Sequence, residues 1–281
     1  MTLLDTQPAD LTEREFQQIS QLVYDHCGIN LHEGKRELVR ARMATRLRAG
    51  GFRSVAAYLE HVLADTTGRE FTALIDTVST NLTSFFRESR HFDYLRQKCL
   101  PALIESRHAS GQRILRVWSA GCSSGEEPYT LAITLLEAVG TAAPSWDIKI
   151  LATDISTRVL KTAEAGCYSR ERIQGIPDAL RTRYFTTNRS TPHQVRVADP
   201  VRRLISFRHL NLMAAWPFTG PFDFIFCRNV MIYFDKPTQE KLVNRFQNCL
   251  DRNGLLFTGH SESLTGIAHR LRYVEPTIYQ K

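Results

Sequence analysis

Apolar residues recur at helical spacing through the first third of the chain. Phe16, Ile19, Leu22 and Val23 share one face of a first amphipathic helix, and Leu38, Val39, Met43 and Leu47 share one face of a second. Val55, Tyr58, Leu59, Val62 and Leu63 mark a third helix. Phe71, Leu74, Ile75 and Val78 mark a fourth, and Gly28, Gly50, Gly51 and Gly68 punctuate the series. Residues 1–90 are therefore expected to form a small all-helical domain with its linker. Beyond residue 91 the pattern changes to short apolar runs separated by helical stretches. Strands are expected near 114–120, 148–153, 205–210, 222–227 and 254–259, with helices near 127–139, 157–165 and 238–250. Strands alternating with helices imply an α/β fold with a mainly parallel, doubly wound sheet covered on both faces. The segment 273–280 reads as a terminal strand at a sheet edge, since Pro276 cannot donate to a neighbour. Between about 168 and 203 the rhythm breaks. Tyr184-Phe185 and Val195-Arg196-Val197 read as short strands around a polar turn, which implies a small inserted antiparallel β-subdomain within the 91–281 domain.

The stretch 113–129, RILRVWSAGCSSGEEPY, organises the second domain. An apolar run empties into small residues and two glycines, and Pro128 suits the first turn of the helix that follows. A strand, a glycine loop and a helix N-terminus form a crevice in which backbone N–H groups approach a nucleotide-like ligand closely. The spacing Gly121-x-x-x-Gly125 is not the dinucleotide fingerprint, and an ordinary strand-to-helix turn would also use it. Glu126 and Glu127 would repel a pyrophosphate, so a ligand bearing hydroxyls or an ammonium is favoured over one bearing phosphates.

Composition narrows the class without choosing the activity. At 281 residues and 43% hydrophobic content the chain can fill a large core and a small one. No apolar run reaches membrane-spanning length and the first residues, MTLLDTQPADL, lack a basic or apolar leader, so a cytoplasmic protein that is not membrane-inserted is expected. Six scattered cysteines without C-x-x-C spacing are expected to be reduced and mostly buried, with no disulfide framework and no bound metal. The net charge of +7 favours an anionic partner. Much of that charge lies on the second helix, where Lys35, Arg36, Arg40, Arg42, Arg46 and Arg48 face the single acid Glu37. Such a face either docks something acidic or is simply solvated.

In a doubly wound sheet, ligands bind outside the carboxyl ends of the strands. Asp154 lies at the end of the second expected strand, where it could accept a ribose diol or cap the next helix. Asn211-Leu212 follows the third strand and Arg228-Asn229 the fourth. The asparagines suit an adenine edge or an amino-acid group, and equally a turn. Arg87, in NLTSFFRE, lies just before the α/β part, where a bound carboxylate would require a guanidinium.

NLTSFFRE, RVWSAGCSSGEEPY, ATDIS, FDFIFCRNVMIYFD and GLLFTGHSES, in this order, resemble the bacterial chemotaxis receptor methyltransferase family, CheR. The likeness covers nearly the whole chain. It implies a class I, Rossmann-like S-adenosylmethionine-dependent methyltransferase that esterifies glutamates on the cytoplasmic helices of methyl-accepting chemotaxis receptors. S-adenosylhomocysteine would be the product. Carried over by the resemblance, the cofactor contacts would be Asn81, Thr83, Arg87, Glu127, Asp154, Asn211, Leu212, Arg228 and Asn229. Tyr233 would face the transferred methyl, with Arg87 beside it as the second catalytic residue. The insertion would be a three-stranded β-subdomain, which in some members grips a pentapeptide at the receptor tail. Those members carry Gly-x-Gly where this chain has Asn188-Arg189-Ser190-Thr191-Pro192, so a tail-independent enzyme is expected.

A glutamate carboxylate is already a nucleophile at neutral pH, so the lack of a Ser-His-Asp or Cys-His set is no objection and positioning carries the rate. With an acidic receptor helix as substrate, Arg40, Arg42 and Arg46 are expected to dock it. Two rivals differ in class. A nucleic-acid methyltransferase has only the positive charge in its favour, because Asn229-Val230-Met231-Ile232 lacks the Pro-Pro-aromatic step of base methyltransferases and there is no basic aromatic platform. A non-catalytic cofactor-sensing scaffold is opposed by the presence of both Arg87 and Tyr233. No long exposed apolar seam appears, so a monomer recruited to membrane receptor arrays is expected, with no nucleic-acid partner.

Overall fold

The structure is a computed structural model that describes residues 11–188 and 191–281. The leader reading, on residues 1–10, lies outside them, as do Arg189 and Ser190 of the insertion turn.

Four helices build the N-terminal bundle: α1 (Glu13–Cys27), α2 (Arg36–Gly50), α3 (Val55–Ala64) and α4 (Arg69–Val78). Local chemistry sets their ends. Thr12 and Glu15 form a reciprocal capping box at the start of α1, and Gly28 closes it at φ 73°, a conformation that costs glycine little. Ile19, Val23, Val39, Met43, Tyr58, Leu59, Leu74 and Ile75 meet in one buried cluster, as the helical periodicity requires.

A loop, 79–89, leads to α5 (Arg90–Tyr94), a π-helical turn (Leu95–Cys99) and α6 (Leu100–Ala109). No element was expected over this stretch, because Pro101 interrupts the pattern; it sits in the first turn of α6, where a missing N–H costs nothing. The α/β part runs β1 (Ile114–Ala120), α7 (Glu126–Val139), β2 (Asp147–Asp154), α8 (Thr157–Ala165), β3 (Cys167–Ser169), α9 (Asp178–Tyr184), β4 (Phe185–Asn188), β5 (Thr191–Val197), α10 (Asp199–Arg202), β6 (Ile205–His209), β7 (Phe222–Cys227), α11 (Lys236–Cys249), β8 (Leu250–Thr258), β9 (Arg272–Glu275) and β10 (Ile278–Gln280).

The large sheet has the order β6-β2-β1-β7-β8-β10-β9. The first five strands run parallel and the last two antiparallel. The strand order reverses between β1 and β7, which opens a crevice at their carboxyl ends. β1 alternates between the two faces. Leu115 and Val117 join the core under α7 with Leu131, Leu135 and Phe226. Trp118 joins the opposite core with Phe222, Phe246 and Leu256, and packs edge-on to Trp216.

Three expectations are corrected. The segment 273–280 is not one strand but the hairpin β9–β10, turned at Pro276-Thr277, so the proline lies in a turn and not in an edge strand. Tyr184 ends α9 instead of opening a strand, and β4 and β5 extend into residues read as turn. The last parallel strand starts at Leu250 immediately after α11, four residues early, because Asp251 and Asn253 broke the apolar run that marks a strand. The insertion is the separate three-stranded antiparallel sheet β3-β5-β4. Of the six cysteines, Cys27, Cys122, Cys227 and Cys249 are buried, Cys167 is exposed, and all are free.

Candidate functional site

The crevice between β1 and β7 continues as an open cleft. Its floor is the loop after β1. The Gly121 and Cys122 amides both donate to Thr153 O, at 2.8 and 2.9 Å, which stitches the loop to the end of β2. Gly121 has φ 84°, and a Cβ there would lie 2.3 Å from Val230 Cγ2, so only glycine lets the loop after β7 close against the floor. Gly125, at φ 97°, turns the chain into α7.

Asp154 ends β2 almost fully buried. Oδ2 accepts the Ser123 N–H at 2.8 Å and Oδ1 the Ser156 N–H at 2.9 Å. Burial pushes its carboxyl above the ordinary range, and these two amides oppose that. Each oxygen keeps a second lone pair for a ligand hydroxyl. The helix that follows is capped by Ser156, whose Oγ accepts the Val159 N–H at 3.3 Å, so Asp154 need not serve as its cap.

Arg228 holds the other wall. Its guanidinium is 2% exposed and forms ion pairs with Glu88 at 3.1 Å and Glu127 at 3.3 Å, while Nη2 also donates to the Arg87 carbonyl. Glu127 Oε1 accepts the Ser119 hydroxyl at 2.7 Å. Burial raises the Glu127 carboxyl, against the pull of Arg228 and Ser119. Burial acts the same way on Glu88, but Arg228, the Asn229 amide and the His260 N–H outweigh it and hold that carboxyl low. Asn229 adopts φ 60°, held there by its N–H donating to Glu262 Oε2 at 2.7 Å and its Nδ2 to Glu88 Oε1 at 3.2 Å.

The helical bundle roofs the cleft with Cys27, Ile29, Leu31 and Lys35. Asn211 Nδ2 donates to His26 O at 2.6 Å, and the Asn30 N–H donates to Tyr233 O at 2.8 Å. Lys35 Nζ stands 4.4 Å from the centre of the Tyr233 ring, and the Tyr233 hydroxyl donates to Thr80 O at 3.4 Å. Arg87 Nη1 donates to Leu82 O at 2.8 Å, leaving the rest of its guanidinium at the cleft.

The cleft therefore brings together Asn81, Thr83, Arg87, Glu127, Asp154, Asn211, Leu212, Arg228, Asn229 and Tyr233. Arg40, Arg42 and Arg46 do not line it. Arg42 donates to the carbonyls of Val78 and Ser79, at 2.7 and 2.8 Å, and to Thr80. Arg46 pairs with Glu70 at 2.5 Å and touches the Tyr58 hydroxyl. These two are committed inside the bundle, which corrects the picture of freely presented charges. Arg40 pairs at the surface with Glu37, 2.6 Å away. Sequence reasoning gave no individual role to Glu88, Ser119, Ser123 or Glu262, and counted Lys35 only within the basic face of the second helix. Glu88 was within reach, since it adjoins Arg87 in the same motif. Glu262 was not, because only the fold brings it to Asn229.

Two family models match the chain: "CheR methyltransferase, all-alpha domain" over residues 14–79 and "CheR methyltransferase, SAM binding domain" over residues 81–280. The chain is 41% identical to a chemotaxis protein methyltransferase of Borreliella burgdorferi, over 97% of this chain and 95% of that one. It is 44% identical to that of Klebsiella aerogenes over 96% and 90%. With that of Escherichia coli K12 it shares 40% identity over 98% and 93%.

Proposed function

The chain belongs to the CheR methyltransferase family, and we propose that it transfers the methyl group of S-adenosylmethionine to glutamate side chains on the cytoplasmic helices of chemotaxis receptors. The products are a glutamyl methyl ester and S-adenosylhomocysteine.

The donor set suits the cofactor. Asp154 offers paired acceptors for a ribose diol, Glu127 and the Asn229 region suit an amino-acid end, and Asn211-Leu212 suit an adenine. Acids at both sides of the floor disfavour phosphates. When bound, the cofactor supplies an electrophilic methyl on a sulfonium. The chain's own work is then to orient and to exclude water. Asp154 and Glu127 fix the cleft's two walls, Tyr233 borders the mouth, and Arg87 holds a carboxylate, either the cofactor's or the incoming one. No side chain needs to take a proton, because a carboxylate nucleophile carries none at neutral pH.

The observation that carries a carboxylate acceptor is the cationic mouth: Arg87 and Lys35 both line the cleft beside Tyr233. A glutamate would be drawn there. Incubating the chain with radiolabelled methyl donor and receptor-bearing membranes is expected to give label that mild base releases as methanol. Base-stable label, or label transferred to DNA in place of membranes, would overturn the assignment.

The reading includes a cytoplasmic monomer recruited to receptor arrays, working without a receptor-tail peptide. The tail-independent mode rests on the sequence from Asn188 to Pro192, which has no Gly-x-Gly; Thr191 and Pro192 open β5. Among the described residues no helix is long and apolar enough to cross a membrane.

Docking of the acidic helix falls to Arg40, with Arg42 as a brace. Arg40→Glu is expected to lower receptor methylation several-fold and leave S-adenosylhomocysteine affinity unchanged, because its only partner among the described residues is a surface acid. Arg42→Glu is expected to lower both, since it would release the carbonyls of Val78 and Ser79 that lead into Asn81. Calorimetry beside methylation assays separates the two; equal loss of both quantities in Arg40→Glu would remove the docking role.

A further inference from the structure

Behind the Arg228 wall, Glu88, His91 and His260 converge outside the cofactor cleft. Their ligand atoms, two imidazole nitrogens and a carboxylate oxygen, all lie within 4.8 Å of one another. His91 Nδ1 is 3.6 Å from Glu88 Oε2, and His260 Nε2 is 4.0 Å from the same oxygen. None of these separations is a hydrogen bond. His91 is 1% exposed, yet its Nδ1 has no hydrogen-bond partner, which is costly for a buried polar atom.

The tautomer of His91 follows from its other side. The Thr277 hydroxyl donates to Pro276 O at 2.6 Å, so its oxygen is left to accept from His91 Nε2 at 2.7 Å. Nε2 then carries the ring proton and Nδ1 presents a bare lone pair toward Glu88 and His260. A buried neutral imidazole, oriented through its far nitrogen by a fixed acceptor, is how proteins prepare a histidine to ligate a metal. Thr277 is itself held at φ 64° in the β9–β10 turn, so the acceptor is placed by the backbone.

We propose that Glu88, His91 and His260 form a binding site for a divalent transition-metal cation of the zinc type. Two imidazoles and one carboxylate are a zinc donor set, with a fourth position open to water. Bonds of about 2.0–2.2 Å require the three atoms to draw slightly closer. His260, half exposed at the surface, supplies both that movement and the entry path. The expected spacing of cysteines gives no hint of such a site, because its ligands are separated by up to 172 residues and contain no thiol.

Occupation would reach the cleft. Glu88 Oε2 is the oxygen that Arg228 grips through Nε and Nη2, at 3.3 and 3.1 Å. A cation taking that oxygen weakens the grip, leaves Arg228 to Glu127 and the Arg87 carbonyl, and loosens the wall. The cation therefore opposes cofactor binding, and by linkage the cofactor opposes the cation.

The test is titration of the full chain with cobalt(II) and zinc, in a Cys167→Ser background so that the exposed thiol takes no part. One equivalent of cobalt is expected to give visible ligand-field bands, zinc to displace it, and His260→Ala to weaken binding by at least about ten-fold, the scale of losing a ligand-shell group. His193→Ala, at an exposed site away from the cluster, is expected to change nothing. Zinc is expected to lower S-adenosylhomocysteine affinity in the background chain and not in His260→Ala. Absent cobalt bands, or equal affinity with and without His260, would overturn the site and leave the three residues as a buried polar cluster only. Because metal binding is read directly, this result stands apart from whether the enzyme esterifies glutamate.

Discussion

Arg228→Met is expected to lower folding stability by about 3–5 kcal/mol and to abolish cofactor binding, because it strands two carboxylates in a place they cannot leave. Arg228, Glu88 and Glu127 have side chains 2%, 12% and 13% exposed, so water cannot take over the pairing. The same guanidinium also satisfies the Arg87 carbonyl, which would lose a donor. Lysine is no substitute at this position, since one ammonium cannot span three acceptors set around a planar fork. Urea denaturation measures the loss. Arg228→Met combined with Glu127→Gln is expected to recover part of it by removing one stranded charge. A loss below about 1 kcal/mol, the scale of an exposed pair, would show that the trio is hydrated and does not organise the wall.

Asp154→Ala is expected to weaken S-adenosylhomocysteine binding by about a hundred-fold, or about 2.7 kcal/mol. Hydrogen bonds to a charged acceptor contribute about 1.5–3 kcal/mol each, and a ribose diol would make two. The side chain has a second task, since it also receives the Ser123 and Ser156 amides. Alanine leaves both amides buried without an acceptor, at a cost of about 1–3 kcal/mol each, so a lower melting temperature accompanies the weaker binding. Asp154→Asn separates the two tasks. It keeps one carbonyl oxygen for an amide and should recover stability more fully than affinity. Unchanged affinity in a folded Asp154→Ala chain would exclude the residue from the ligand site.

The parts of this protein legible from sequence are those where local chemistry and burial agree. β1, its glycine loop and α7 announce themselves because Leu115, Val117 and Trp118 are all buried and the loop needs Gly121 and Gly125. Strand ends then point to the cleft, which is how Asp154, Asn211 and Asn229 could be singled out before any coordinates. What stays hidden depends on pairing between distant segments. Arg228 meets Glu88 across 140 residues, and Glu262 reaches Asn229 across 33. The partners of the basic face of α2 stay hidden for the same reason. Charge density is visible in the chain, but the carbonyls of Val78 and Ser79 and the acid Glu70, which absorb Arg42 and Arg46, are visible only in the fold. The final hairpin was misread because Pro276 and Thr277 interrupt a pattern too short to reveal two strands.

The roof of the cleft comes from one domain and its floor from the other, and direct bonds join them at Tyr24, His26, Asn30, Asp76, Thr80, Asn81 and Glu88. A molecule lodged between Ile29 and Asp154 consequently acts as a rivet. At a hundred times its dissociation constant it adds about 2.7 kcal/mol to the folded state, comparable to a large core contact. Thermal melts at rising cofactor concentration are therefore expected to shift upward, because the bound molecule holds the folded chain from both sides of the cleft.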